Sequence, residues 1–363
     1  MFRLIERTII VLVAIGFCDL QATADSNLMA KFQRILNESY LESGPGAAVI
    51  VTKNGSVLFQ GAHGKANIEL NVPLETHHVF RIGSLTKQFT AAAIMMLHEK
   101  GQISLDDPIT KYLPQYPTHG HNITIEHLLT HTSGIFNYTN QKDFLQKDLG
   151  KDISLSELIK IFEQSPMQFP PGTAIDYSNS GYVLLGAIIE IVSGKSYSDF
   201  MKDNIFKPIH LKSTYVGTPI ITPNRVTGYQ HDANKGIQNI RPFSMTYAHA
   251  AGAIISSIND LAIWNEALQK NLLLTETSYH RMKTKYQLSN KQFSPFGYGF
   301  HIDSLHGLEV IQHSGSIPGF SSFALWIPNY NIYIAVLSNQ IGAQKSPKSV
   351  AYEFAEAAID AAQ

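Results

Sequence analysis

Strand-like segments lie at both ends of this 363-residue chain, and a long helical middle separates them. Near the N-terminus, residues 46–52 and 56–60 read as two strands joined by Lys53-Asn54-Gly55, a strong hairpin turn signal. Beyond Pro295 the strand pattern returns at 297–302, 309–313, 320–326 and 332–338, and a last helix spans 350–361. Between them the pattern predicts helices at 125–131, 155–164, 180–192 (stopped by Gly194), 198–206 and 259–269. Ser257, three residues before Asp260, suggests a capping box for the last of these. The arrangement implies an α+β fold in which the N-terminal hairpin joins the C-terminal strands in one antiparallel sheet, with the terminal helix packed on a face. No linker or repeat divides the chain. The expected organisation is a leader over 1–24 and one domain over 25–363. Its sheet lobe takes about 25–83 and 295–363, and its helical lobe about 84–294.

At 44% hydrophobic and 16% charged, the chain can bury a large core. A net charge of −1 without runs of like charge argues against nucleic acid or an anionic membrane surface as partner. The N-terminus reads as an export signal: Arg3 and Arg7 precede or flank an apolar run at 8–17, and Ala22-Thr23-Ala24 offers a cleavage site. That run is short of the ~20 residues needed to span a bilayer, so the expectation is an exported protein, periplasmic or secreted, without a stable span after cleavage. Cys18 is the only cysteine, and Phe17 before it does not suit a lipidation site. Cleavage after Ala24 would leave no thiol for disulfides or catalysis.

The lobes are expected to meet near Ser84-Leu85-Thr86-Lys87, which opens a helix-forming run ending at Gly101. Residues three apart share a helix face, so the Lys87 amine can reach the Ser84 hydroxyl, and a serine beside an amine base is an activated nucleophile. Alone, the string is close to chance. Two elements follow in order: Tyr177-Ser178-Asn179 before a predicted helix, and His313-Ser314-Gly315 at the end of a predicted strand. Tyr138-Thr139-Asn140 and Lys53-Asn54-Gly55 fit the same spacings but not the order or context. His127 and His131, four apart, have the spacing of a zinc pair, but no third ligand is evident. No metal or other cofactor is expected.

Ser-x-x-Lys with Ser-Asp-Asn and Lys-Thr-Gly marks class A β-lactamases and penicillin-binding proteins. Here Tyr-x-Asn and His-x-Gly stand in the second and third places. With Gly83 to Thr90, His127-Leu128-Leu129-Thr130-His131-Thr132-Ser133-Gly134, Tyr177 to Tyr182 and His313 to Ser316, the chain resembles the serine β-lactamase-like superfamily on its class C side. That group includes class C β-lactamases, D-alanyl-D-alanine carboxypeptidases, D-aminopeptidases and related esterases. The resemblance runs from about Gly44 to the C-terminus, and the histidine-rich block matches it as a structural motif.

The resemblance implies acyl transfer through Ser84, with Lys87 and Tyr177 sharing the proton work. Either of the two could be the base. Asn179, His313 and Gly315 would contact substrate, and the backbone amides of Ser84 and Ser316 would form the oxyanion hole. Tyrosine titrates near ~10, so Tyr177 serves as a base only if a neighbouring cation stabilises its phenolate. Histidine at 313, with an ordinary pKa of ~6.5, replaces a permanent cation. The expectation is a weak β-lactamase acting on D-amino-acid peptides, amides or β-lactam-like substrates, improved towards penicillins by His313→Lys. The partner would be a small molecule or short peptide, including peptidoglycan fragments. A carboxylesterase using the same serine and a cell-wall peptide-binding module without turnover remain open.

Overall fold

A computed structural model describes residues 26–362; the expected leader lies outside the described residues. Its centre is a six-stranded antiparallel sheet, in the spatial order His301–Leu305, Leu308–Ile317, Phe320–Ile327, Ile332–Ser338, Ala47–Lys53 and Ser56–His63. The first and last parts of the chain meet through Ala47 opposite Ser338 and Lys53 opposite Ile332. Asn54 and Gly55 turn the hairpin with φ of 53° and 78°, the left-handed pair that a two-residue turn requires.

Ala47–Lys53 and Ile332–Ser338 are almost continuously apolar because the sheet is covered on both faces. Val49, Val51, Ile334 and Val336 face two helices, one over residues 26–39 and the other Pro347–Asp360. Phe32 of the first stacks on Phe354 of the second at 5.0 Å. Ala48, Ile50, Ala335 and Leu337 face the other way, into the core shared with the helical middle. Among the described residues, no helix is long and apolar enough to cross a membrane.

The expected hairpin and terminal helix are present, and several boundaries differ. Residues 297–300 turn, with Gly297 N–H bonded to Phe300 O at 3.0 Å, so the strand begins at His301. The next strand continues through His313-Ser314-Gly315 to Ile317 because those residues pair with Phe320 to Ala324. Helix Tyr197–Met201 widens into a π turn over Lys202–Phe206. Only half of the capping box forms at Ser257. Its hydroxyl accepts from Asp260 N, while the Asp260 carboxylate accepts from Ser213 N and Thr214 Oγ1, each at 2.7 Å. The helix over 26–39 has no counterpart among the sequence expectations.

Short strand Phe80–Arg81 pairs with Ile254–Ser256 and hands the chain to a 3₁₀ turn, Gly83–Leu85, followed by helix Thr86–Glu99. Ser84 therefore stands at the junction of sheet and helices.

Candidate active site

Backbone contact presses the serine turn against the sheet. Gly315 has no room for a side chain: a Cβ there would lie 2.0 Å from Ile82 O. Gly83 has φ of +53°, and a Cβ on it would lie 2.8 Å from Ser316 N. Leu308–Ile317 thus runs directly alongside the Ile82–Ser84 turn. This brings Ser84 and Ser316 into the lining of one cleft of about 560 Å³.

Lys87 is fully buried on the first turn of its helix. Its Nζ lies 3.1 Å from Ser84 Oγ, 2.7 Å from Asn179 Oδ1 and 2.8 Å from Ala251 O. None of these is a carboxylate, and burial pushes the amine well below its ordinary pKa of 10.5. A neutral amine has two N–H donors and one lone pair. The Asn179 and Ala251 oxygens can only accept, so they take both donors, and the lone pair is left for the Ser84 hydroxyl.

Asn179 opens helix Asn179–Ser193, where the Ser178 side chain caps Gly181 N. It is held from two sides, its N–H donating to Asn137 Oδ1 (3.1 Å) and its Nδ2 to Thr139 Oγ1 (3.0 Å). Tyr138-Thr139-Asn140, set aside on sequence as a second Tyr-x-Asn, therefore braces the site from a 3₁₀ turn. The Tyr138 hydroxyl itself donates to Tyr247 O.

Tyr177 lies beneath Lys87, whose Nζ is 4.7 Å from the ring centroid. The hydroxyl is shielded from solvent and forms no hydrogen bond. Burial raises its pKa, and the nearby Ser84 hydroxyl offsets only part of the rise. Tyr177 is thus held as a phenol, and the burial that favours the neutral form of Lys87 weakens the cation that would have stabilised a phenolate. His131 packs on its ring at 4.3 Å. The same histidine accepts Ser178 N–H at Nδ1 (3.1 Å) and Asp176 N–H at its carbonyl (3.0 Å), clamping both neighbours of Tyr177.

His313 is only 5% exposed and does not line the cleft. Burial first, and Lys87 second, lower its pKa to about 3. Its Nδ1 lies 2.6 Å from Ser314 O, an acceptor, so Nδ1 carries the proton. Of the three residues expected to contact substrate, only Asn179 lines the cleft. His313 sits behind it because its ring turns toward Tyr177, and Gly315 is consumed by its contact with Ile82. His127 and His131 serve separate backbone groups, His127 Nδ1 accepting from Thr124 N and His131 Nδ1 from Ser178 N. Among the described residues, no group of three or more His, Cys, Asp or Glu could hold a metal ion.

Sequence reasoning missed Ala251, Thr139 and the clamp made by His131. Ala251 acts through a carbonyl that any residue carries, so no side-chain signal could have found it. His131 lay inside a block read as structural.

The family model described as Beta-lactamase matches residues 36–358. Penicillin-binding protein 4* of Bacillus subtilis (strain 168) is 29% identical over 308 residues, covering 80% of this chain and 67% of that protein. A D-stereospecific amidohydrolase from Streptomyces sp. superposes with a TM-score of 0.79 at 30% identity, covering 90% of this chain and 99% of that one. The D-amino acid amidase from Ochrobactrum anthropi SV3, complexed with D-phenylalanine, superposes with a TM-score of 0.82 at 25% identity, covering 92% and 99%. The chain spans about three fifths to two thirds of the length of the curated relatives it matches.

Proposed function

The chain belongs to the Beta-lactamase family of serine hydrolases, and on that footing we propose that it cleaves amide-type bonds through a covalent acyl ester on Ser84. The observation that carries this reading is the placement of Lys87 Nζ 3.1 Å from Ser84 Oγ while Asn179 Oδ1 and Ala251 O hold it from the other sides, an arrangement in which the neutral amine can turn its lone pair to the serine. Lys87 takes the Ser84 proton as the oxygen attacks the substrate carbonyl. The backbone N–H groups of Ser84 and Ser316 hold the developing oxyanion, where one donor contributes about 3 kcal/mol. Tyr177, protonated and without a partner, gives its proton to the leaving nitrogen and recovers one from Lys87. The C–N bond breaks and an ester remains on Ser84. Water then attacks that ester by the same route in reverse, releasing the acid.

D-configured peptides and amides are the substrates this reading favours, in line with the amidase and amidohydrolase likeness. Penicillins are turned over slowly, because neutral, buried His313 supplies no cation in the place of the lysine in the Lys-Thr-Gly element of class A β-lactamases. The composition of residues 1–24 supports action outside the cytoplasm, which N-terminal sequencing of the mature protein tests. The decisive experiment is intact-mass analysis after treatment with a fluorophosphonate. A single adduct mapping to Ser84 and absent in Ser84→Ala supports the reading, and an unmodified, folded protein refutes it.

A further inference from the structure

Three side chains outside the cleft converge without a carboxylate among them. Arg81 and Tyr215 lie on the two outer strands of a small sheet, both opposite Ile255 of the strand between them, so they share a face. Arg225 is pinned beside Val79, two residues before Arg81. Val79 N–H donates to Asn224 O at 2.9 Å, and Val226 N–H donates to Val79 O at 3.2 Å. Residues two apart in a strand face the same way, which sets Arg225 diagonally beside Arg81. The Phe320 ring packs beneath, its centroid 5.7 Å from the Arg81 guanidinium carbon.

Neither arginine has a hydrogen bond or ion pair with any described residue. Arg81 Nη1 is shielded from solvent without a partner. So is Tyr215 Oη, with Thr222 nearby but outside hydrogen-bond geometry. Carboxylates close in sequence are engaged elsewhere. Glu75 is turned to His77 at 3.3 Å, and Asp260 accepts from Ser213 and Thr214. Burial first, and Arg225 second, lower the Arg81 pKa to about 10, with only the Tyr215 phenol acting the other way. Arg81 therefore stays charged at neutral pH. A buried cation beside a second cation is costly unless an anion pairs with it.

We propose that Arg81, Arg225 and Tyr215 form a binding site for a small divalent oxyanion, phosphate or sulfate, behind the serine turn. Two planar guanidinium forks and a phenol O–H aim donors at one place, which suits a ligand with several acceptor oxygens. Two positive charges match two negative ones, whereas a monocarboxylate leaves one cation uncompensated. Arg81 precedes Ser84 by three residues, so their Cα atoms lie within about 11 Å. None of the three side chains lines the cleft, so the anion braces the strand leading into the turn and is not a substrate. The assignment stands apart from the acyl-serine reading.

Isothermal titration calorimetry with sodium phosphate, sulfate and acetate, at fixed ionic strength, tests it on protein dialysed free of phosphate and sulfate. Phosphate and sulfate should each fill one saturable site, and acetate should bind at least about 10-fold more weakly. Arg81→Gln and Arg225→Gln should each weaken phosphate by about 10-fold or more, and Arg225→Lys should keep part of the affinity. Arg225 is exposed, so Arg225→Gln should stay folded even where Arg81→Gln does not. Phosphate should also raise the melting temperature of the wild type more than that of Arg225→Gln. No saturable phosphate site in the wild type, undiminished binding in Arg225→Gln, or acetate binding as tight as phosphate overturns the assignment. A melting shift that sodium chloride reproduces at equal ionic strength reflects screening alone and overturns it too.

Discussion

The Lys87 amine approaches Ser84 Oγ to 3.1 Å with its other two contacts spent on oxygens that can only accept, Asn179 Oδ1 and Ala251 O. Because the amine is buried without a carboxylate, the folded protein favours its neutral form. The rate should therefore fall at low pH, as Lys87 takes up a proton, and reach its plateau well below pH 10.5. A pH profile of kcat/KM between the onset of acid unfolding and pH 10.5 checks this. A rate that climbs continuously to the alkaline end would mean that Lys87 is cationic near neutrality and that another group is the base. Lys87→Met should fold and lose about 10³-fold or more in kcat.

Tyr177 leads to a prediction in which stability and activity separate. Its hydroxyl is shielded and makes no hydrogen bond, so Tyr177→Phe removes an unsatisfied polar group and should leave the melting temperature unchanged or higher. As the proton donor to the leaving group, it should contribute about 10²- to 10⁴-fold on amides. The loss should be far smaller on p-nitrophenyl esters, whose leaving group needs no proton. Equal losses on both substrate types would assign Tyr177 to positioning instead.

Local geometry explains which parts of this site are legible in the sequence. Ser84 and Lys87 meet because three residues along a helix share a face, a rule that holds before any tertiary structure is known. Lys87 and Ala251 meet across 164 residues through a backbone carbonyl, which leaves no trace in residue identity. Ser314, Gly315 and Ser316 read as loop by composition, yet they are strand because Phe320 to Phe323 supply the opposing ladder. The helix over 26–39 did carry a signal, with Leu28, Phe32, Ile35 and Leu36 spaced for one face. That stretch directly follows the expected leader, and its pairing with Phe354 of the last helix is a long-range fact.

Acid should destabilise the fold over a defined window. His131 and His313 are held neutral in the folded protein, His313 down to about pH 3, whereas the unfolded chain protonates both near 6.5. Below that pH the unfolded state binds more protons, so stability falls as pH drops from 6.5 toward 3, by up to about 1.4 kcal/mol per pH unit for each ring. Urea unfolding at pH 7.5, 5.5 and 4.5 measures the slope, and His313→Gln should reduce it. The same variant should keep the wild-type shape of the pH–rate curve, because residue 313 carries no charge in the working range.

The buried setting of His313 reverses the sequence expectation for His313→Lys. A lysine there would bury an ammonium of its own close to Lys87 with no carboxylate beside it, and would have to leave the Tyr177 ring to reach the cleft. The variant should lose stability and gain nothing in acylation by penicillins. Thermal melts together with penicillin acylation rates decide it, and a stable variant with faster acylation would show that residue 313 does address the cleft.

Gly315 ties the sheet to the nucleophile, so its substitution should affect both. In Gly315→Ala the new methyl group falls 2.0 Å from Ile82 O and 2.2 Å from Ser322 Oγ, the hydroxyl that donates to that same oxygen at 2.8 Å. The serine hydroxyl could rotate away, but the carbonyl belongs to the backbone just ahead of Gly83 and Ser84. Relief therefore requires strand Leu308–Ile317 to move from the serine turn, carrying the Ser316 amide away from the oxyanion position. Overpacking of this kind costs about 1–3 kcal/mol. The melting temperature should drop, and fluorophosphonate labelling of Ser84 should slow even at temperatures where the variant is fully folded. Slower labelling that merely tracks the unfolded fraction would leave Gly315 a packing residue and detach Ser316 from the chemistry.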